Sequence, residues 1–349
     1  ENPPGVLPTD SSSSGLMMMT TILLVRGFLG VLLIFGMASS VRVGVVSRRG
    51  ALAGGALSTT TLSTEMARAG GRGGPPLTAV VTGASSGIGC AAAAELARNG
   101  WRVVIGCRRS DAREAVVAKL DEEQELVAQY ALLDLSDLAS VRRFGDAVAQ
   151  CEPRVDLLLC CAGIDGAPRS ETTVQGHEPH FGVNHLGHFA LTLRLLETLK
   201  KSEGSVVTVT SSACLDADVS PTRLDDLDMA RAYATPHTAY ANSKAYNILF
   251  ADELRRREPS LRTVAAALPG RCATQIVRYE LPQRAAQRLN MDDAMIARQA
   301  RQLGLRTPAQ GAALPVWLAL AGPRTRDGET LWLDPRLPAP PLEVNWRDP

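Results

Sequence analysis

From Leu77 onward, short apolar runs alternate with longer amphipathic stretches. The segments 77–82, 102–107, 126–132, 155–160, 206–210 and 263–268 are nearly continuous in Val, Leu, Ile and Ala, the pattern of strands buried on both faces. Between them, 88–99, 138–150, 189–201, 240–257 and 308–320 repeat their apolar residues at helical spacing. Strand–helix alternation of this kind predicts an α/β fold. The expected architecture is one doubly wound Rossmann domain with a parallel sheet of about seven strands. Leu331–Leu333 would supply a last short strand at one edge. Such a sheet binds ligands at the carboxyl ends of its strands.

The first 76 residues break this rhythm and read as a leader, ahead of a domain over 77–338 and a tail over 339–349. Residues 1–15 are rich in Pro, Ser and Gly, and Met17, Met18 and Met19 offer themselves as the start. The run 16–38 is apolar except for a few polar residues and Arg26, and is about long enough to cross a bilayer (~20 residues). Its core over 28–37 also has the length of a signal-peptide centre. The stretch 39–76 then sets Arg42, Arg48, Arg49, Arg68 and Arg72 against a lone acid, Glu65. An apolar signal followed by an acid-poor, Arg- and Ser-rich stretch resembles the two-part leaders of algae with complex plastids, so organellar targeting to a plastid is the favoured expectation. Ser47-Arg48-Arg49-Gly50 also fits a twin-arginine signal. The competing expectation is an anchor in the endoplasmic reticulum membrane followed by a linker. Either way, the leader is expected to contribute no strand.

Composition narrows the function classes. A formal charge of +1 gives no electrostatic case for nucleic acid, and 45% apolar residues suffice for a large core. Seven cysteines lie scattered without metal-ligand spacing, which fits a reduced, intracellular setting and no metal. The vicinal pair Cys160-Cys161 reads as two core thiols, with a redox role as the alternative.

The chemistry begins at Thr82-Gly83-Ala84-Ser85-Ser86-Gly87-Ile88-Gly89, between the first predicted strand and the first helix. Gly83 suits a tight turn, Gly87 lets backbone approach a pyrophosphate, and Gly89 lets helix pack on strand. The helix N-terminus adds free N–H groups and partial positive charge for phosphates. At the end of the second strand, Arg108 and Arg109 stand where an enzyme for the unphosphorylated dinucleotide would place an acid. Guanidinium groups there favour a 2′-phosphate and hence NADP(H).

The spacing G-x-x-x-G-x-G resembles the short-chain dehydrogenase/reductase family, as do Tyr240-Ala241-Asn242-Ser243-Lys244 and Pro269-Gly270 followed by Thr274. Asn184-His185-Leu186-Gly187-His188-Phe189 resembles the branch holding retinol dehydrogenase-like and protochlorophyllide oxidoreductase-like enzymes. Gly311 to Trp317 and Gly328 to Asp334 look most like its retinol dehydrogenase-like members. The resemblance implies cofactor contacts at Gly83, Ser85, Gly87, Ile88, Gly89, Arg108, Arg109, Asp134, Ala162, Gly163, Tyr240, Lys244, Pro269, Gly270 and Thr274. It implies that Ser212 bonds the substrate oxygen, and that Asn184 holds a water in a proton relay with Lys244. One departure stands out: Cys160-Cys161-Ala162-Gly163 replaces the usual N-N-A-G, so the asparagine amides that tie neighbouring strands are missing.

Tyr240 and Lys244 lie four apart on one helix face. A phenol ordinarily titrates near ~10, and lowering it by about three units takes roughly 4 kcal/mol of differential stabilisation. An adjacent ammonium and an oxidised nicotinamide can supply it together. His185 and His188 are expected to pack rather than to bind metal. The leading expectation is an NADP(H)-dependent interconversion of a carbonyl and an alcohol on a lipophilic small molecule. A reductase of a pigment-precursor double bond and a catalytically weak nucleotide-sensing module at an organelle membrane are the competing readings. The segments 214–238 and 276–305 should border the substrate; they indicate no particular one. A homodimer and membrane association through the N-terminus complete the expectations.

Overall fold

The computed structural model describes residues 43–45, 75–119, 126–231, 233, 235–274, 276, 298, 302–322 and 329–333. Its strands are β1 (Val43–Val45), β2 (Thr78–Thr82), β3 (Arg102–Gly106), β4 (Val127–Ala128), β5 (Leu157–Cys160), β6 (Ser205–Val209), β7 (Val264–Leu268) and β8 (Leu331–Leu333). They form one sheet in the order β1-β8-β7-β6-β5-β2-β3-β4, every pairing parallel. The chain lays down β2, β3 and β4 outward in one direction, then returns to β2 and builds β5 to β8 in the other. The strand order therefore reverses between β2 and β5, which opens a crevice at their carboxyl ends.

Side chains alternate across the sheet as strand geometry requires. Val80 of β2 and Leu158 and Cys160 of β5 face one layer; Ala79, Val81, Leu157 and Leu159 face the other. The first layer holds α3 (Leu138–Cys151), α4 (Gly187–Lys201), the short α5 (Pro221–Leu224) and α6 (Pro236–Arg257), with Phe144, Phe189, Tyr246 and Phe250 filling its core. The second holds α1 (Gly87–Arg98), α2 (Ala112–Val117) and α7 (Pro308–Ala321). Its small residues Ala92, Ala93 and Ala312 let α1 and α7 pack closely, while Trp317 and Trp332 meet at 5.7 Å.

Local signals explain most element ends. Thr235 caps α6 by accepting from the Thr238 N–H, with Pro236 in the first turn. Helix α6 thus starts a turn before the expected position 240. Thr307 and Gln310 form a reciprocal capping box at α7. The fourth strand is far shorter than 126–132. Helix α2 escaped the sequence reading because it offers one short turn and a half with little periodicity.

The leader corrects an expectation. Val43–Val45 pairs in parallel with Leu331–Leu333, so the sheet gains an eighth strand upstream of the expected domain start. The apolar run 16–38 and most of 39–76 lie outside the described residues, as does the tail. Among the described residues, no helix is long and apolar enough to cross a membrane. Removing residues 1–76 would leave the β8 edge unpaired while keeping β2 to β8 and both helical layers. If the lost ladder is worth one or two backbone hydrogen bonds at ~1 kcal/mol each, the melting temperature should fall by roughly 5 °C. A thermal melt of the truncated chain beside the full chain checks this, and loss of cooperative unfolding would place the leader inside the core.

Candidate active site

The crevice at the reversal point is a cleft of about 550 Å³, within the range of small-molecule sites. Its floor is glycine for steric reasons. Gly83 has φ +70°, and a Cβ there would sit 2.7 Å from Ala162 Cα. A Cβ on Gly89 would lie 2.5 Å from the Gly83 carbonyl oxygen, so the α1 backbone rests directly on the turn. Gly87, at φ +57°, abuts the Thr274 methyl. Ser86 makes no side-chain bond to the first turn of α1, which leaves that helix's N–H groups directed at the cleft for an anion. These features fit a dinucleotide pyrophosphate.

The expected residues converge here with two exceptions. Gly83, Ser85, Gly87, Ile88, Gly89, Arg108, Asp134, Ala162, Gly163, Ser212, Tyr240, Lys244, Pro269, Gly270 and Thr274 all line the cleft. Arg109 does not: it is exposed and turned onto Asp111, with its Nε 2.7 Å from that carboxylate. Arg108 is exposed at the cleft edge, and no hydrogen bond or ion pair holds it among the described residues. Of the two arginines, Arg108 is thus the one that lines the cleft.

Asn184 is the second exception. It is fully buried in a π-helical turn, Phe181–Leu186, that leads into α4. Its Oδ1 accepts from the Ile164 N–H at 2.8 Å, and its Nδ2 donates to Ile164 O at 2.9 Å and Ser243 Oγ at 3.0 Å. Its carbonyl oxygen accepts from Asn247 Nδ2 and His188 Nδ1. With amide and carbonyl both spent on protein groups, Asn184 clamps the loop after β5 to α6.

Tyr240 and Lys244 share one face of α6, with Lys244 Nζ 5.6 Å from the centre of the Tyr240 ring. Lys244 is buried, donates to Val209 O at 3.2 Å, and lies 3.3 Å from where a Cβ on Gly163 would stand. Burial pulls its pKa down to about 8, so the ammonium still predominates at neutral pH. Ser211 and Ser212 follow β6. Ser211 Oγ accepts from the Ala213 N–H and caps the turn, whereas Ser212 lines the cleft with no hydroxyl partner among the described residues. Asp134 receives the N–H and hydroxyl of Ser136 on one carboxylate oxygen.

Burial pushes the Cys160 and Cys161 thiols up to about 12, which disfavours thiolate-dependent exchange. None of the seven cysteines is in a disulfide. His185 packs among Phe181, Phe189, Tyr246 and Phe250 as expected. No group of metal ligands exists among the described residues. Sequence reasoning passed over Thr82, whose Oγ1 accepts from both the Cys161 and Ala162 N–H groups at 2.9 and 3.1 Å. A threonine directly ahead of the first glycine, ending a buried strand, was the available signal.

A parallel doubly wound sheet, a glycine-floored cleft at its reversal point, and a tyrosine–lysine pair on the wall define a dinucleotide-dependent oxidoreductase. The comparisons with known proteins agree. The family model for short chain dehydrogenase matches residues 77–220. Retinol dehydrogenase 14 of Homo sapiens is 37% identical over 270 residues, covering 71% of this chain and 76% of its own length. Retinol dehydrogenase 12 of Mus musculus is 40% identical over 210 residues, covering 58% and 64%. A short chain dehydrogenase structure from Shigella flexneri, complexed with NADP, superposes with TM-score 0.53 at 26% identity over 75% of this chain and 97% of its own. The chain belongs to the short-chain dehydrogenase/reductase family, in its retinol dehydrogenase-like branch.

Proposed function

We propose that this oxidoreductase uses NADP(H) to interconvert a carbonyl and an alcohol on a lipophilic small molecule, with Tyr240 passing the proton. The observation that carries the reading is the convergence of Tyr240, Lys244, Ser212 and Arg108 on one glycine-floored cleft. Bound nicotinamide would supply or take the hydride. Ser212 donates to the substrate oxygen, where charge develops, and Tyr240 gives or takes the proton at that same oxygen. Lys244 holds the nicotinamide ribose and favours the phenolate. Asn184 acts at one remove, through the Ile164 backbone. Lipophilicity is supported by the relatives' names, since retinol is a lipophilic alcohol.

Activity is tested with the full chain and either NADPH or NADH against a panel of aldehydes, ketones and alcohols. NADPH-linked turnover on apolar members is the expected result; no turnover on any carbonyl or alcohol sinks the reading. Cofactor choice gives a sharper check. Arg108 supplies one or two charge-assisted bonds to a 2′-phosphate, each worth ~1.5–3 kcal/mol, so NADPH should bind roughly tenfold to a hundredfold more tightly than NADH. Arg108→Asp should erase or reverse that gap, whereas Arg109→Ala should leave it. Equal dissociation constants in the unmodified protein overturn the assignment.

The leader's targeting role rests on its composition. A fluorescent fusion of residues 1–76 should reach an organelle, the plastid if the two-part reading holds, while retention in the endoplasmic reticulum membrane identifies an anchor. Membrane attachment through residues 16–38 and homodimerisation remain part of the proposal, tested by fractionation and by mass in solution.

A further inference from the structure

The crevice floor depends on where the Ala162 backbone sits, because it lies against Gly83. Cys160 and Cys161 carry no side-chain amide to hold that backbone. The tie comes instead from Thr82 Oγ1, which receives the N–H groups of Cys161 and Ala162. A hydroxyl that accepts two such bonds must send its single proton elsewhere. Two acceptors are within reach: His188 Nε2 at 2.8 Å and Leu159 O at 3.4 Å.

The other side of the imidazole decides which one takes it. His188 Nδ1 lies 3.0 Å from the carbonyl oxygen of Asn184, an atom that can only accept, so Nδ1 carries the proton. That carbonyl lies in the π-helical turn Phe181–Leu186. Burial first, and the nearby Lys244 charge in addition, pull the ring's pKa down to about 4, so the ring is neutral at physiological pH. A neutral ring protonated at Nδ1 presents a lone pair at Nε2. The Thr82 proton is drawn to it, and the oxygen lone pairs turn toward the two amides. The opposite tautomer would aim an N–H at Thr82 Oγ1, compete with both amides, and set two acceptors against each other at Asn184.

We propose that His188 is a positioning residue for dinucleotide binding: its Nδ1–H tautomer orients the Thr82 hydroxyl, which holds the Cys161–Ala162 backbone under Gly83. The role rests on the reading of the cleft as a dinucleotide site. It differs from simple packing because it acts only through Thr82.

Direct titration of NADPH into the full-length protein, read by fluorescence, tests it without needing a substrate. Removing the tie should weaken binding about tenfold in Thr82→Val and by a smaller but measurable factor in His188→Leu, where the hydroxyl can still turn to Leu159 O. His188→Gln, which keeps one donor and one acceptor, should recover at least part of the loss, and Thr82→Ser nearly all. The double variant Thr82→Val/His188→Leu should bind no worse than Thr82→Val alone, since His188 acts only through that hydroxyl. Losses that multiply in the double variant, or unchanged binding in His188→Leu, overturn the proposal.

His188 is 2% exposed, so its variants can unfold. Long-range proton–nitrogen spectra of the unmodified protein decide independently. Nδ1 should be protonated and Nε2 bare, with no titration between about pH 6 and 8, and Thr82→Val should shift Nε2. A proton on Nε2, or titration in that window, overturns the network. An unmodified protein that binds neither NADPH nor NADH instead overturns the cofactor reading, while the spectra still report on the tautomer.

Discussion

Tyr240→Phe should reduce turnover by at least about a hundredfold while changing the NADPH dissociation constant less than threefold. Loss of a positioned proton donor costs about 10²–10⁴ in rate, and phenylalanine keeps the ring. The ring is 8% exposed and packs edge-on to His180 at 6.2 Å, so its removal rather than its trimming would disturb the wall. Rate and affinity must be measured on the same preparation. More than a tenth of the normal rate in a variant that still binds cofactor would remove Tyr240 from its role.

The second large effect should come from Lys244→Met, and it should move activity and stability in opposite directions. Turnover should fall more than about a hundredfold and NADPH should bind several-fold more weakly, because in the proposed mechanism one ammonium serves both the ribose and the phenol. Stability should rise. Lys244 titrates near 8 in the folded chain against 10.5 for the free side chain, so the unfolded chain holds more protons between those values. The penalty is present in full below about pH 8 and fades as pH climbs toward 10.5. Its ceiling is roughly 3 kcal/mol, reduced by the bond to Val209 O that methionine cannot make. A variant that melts higher at pH 7 yet is inactive fits a residue kept for chemistry at a cost in stability. For the same reason, NADPH affinity of the unmodified protein should decline as pH rises through about 8, and Lys244→Met should flatten that profile. A variant that loses stability and keeps its affinity would contradict both halves.

The strands were legible because each buries both faces and must be apolar throughout. That the glycine turn, Tyr240, Lys244 and Ser212 share one cleft was legible because each stands at a strand end or on one helix face. What escaped depended on contacts far apart in the chain. Arg109 and Arg108 are adjacent and chemically identical, and only the local position of Asp111 turns one of them away. The Asn184 amide's engagement with Ile164 and Ser243 could not be read, because each partner lies far along the chain. His188 read as packing because the hydroxyl that engages it lies 106 residues upstream. The β1 strand escaped because three residues in an Arg- and Ser-rich stretch carry no periodicity long enough to read.

That strand also constrains how the chain could be matured. A peptidase cutting between residue 45 and Leu77 would detach Val43–Val45 from the sheet edge and leave the backbone groups of β8 open to another strand. A cut upstream of Val43 would discard the apolar run and keep β1 as the edge strand over β8. N-terminal sequencing of the protein isolated from cells therefore reports two things at once: where the leader ends, and whether the mature sheet ends on the short β1 or exposes β8.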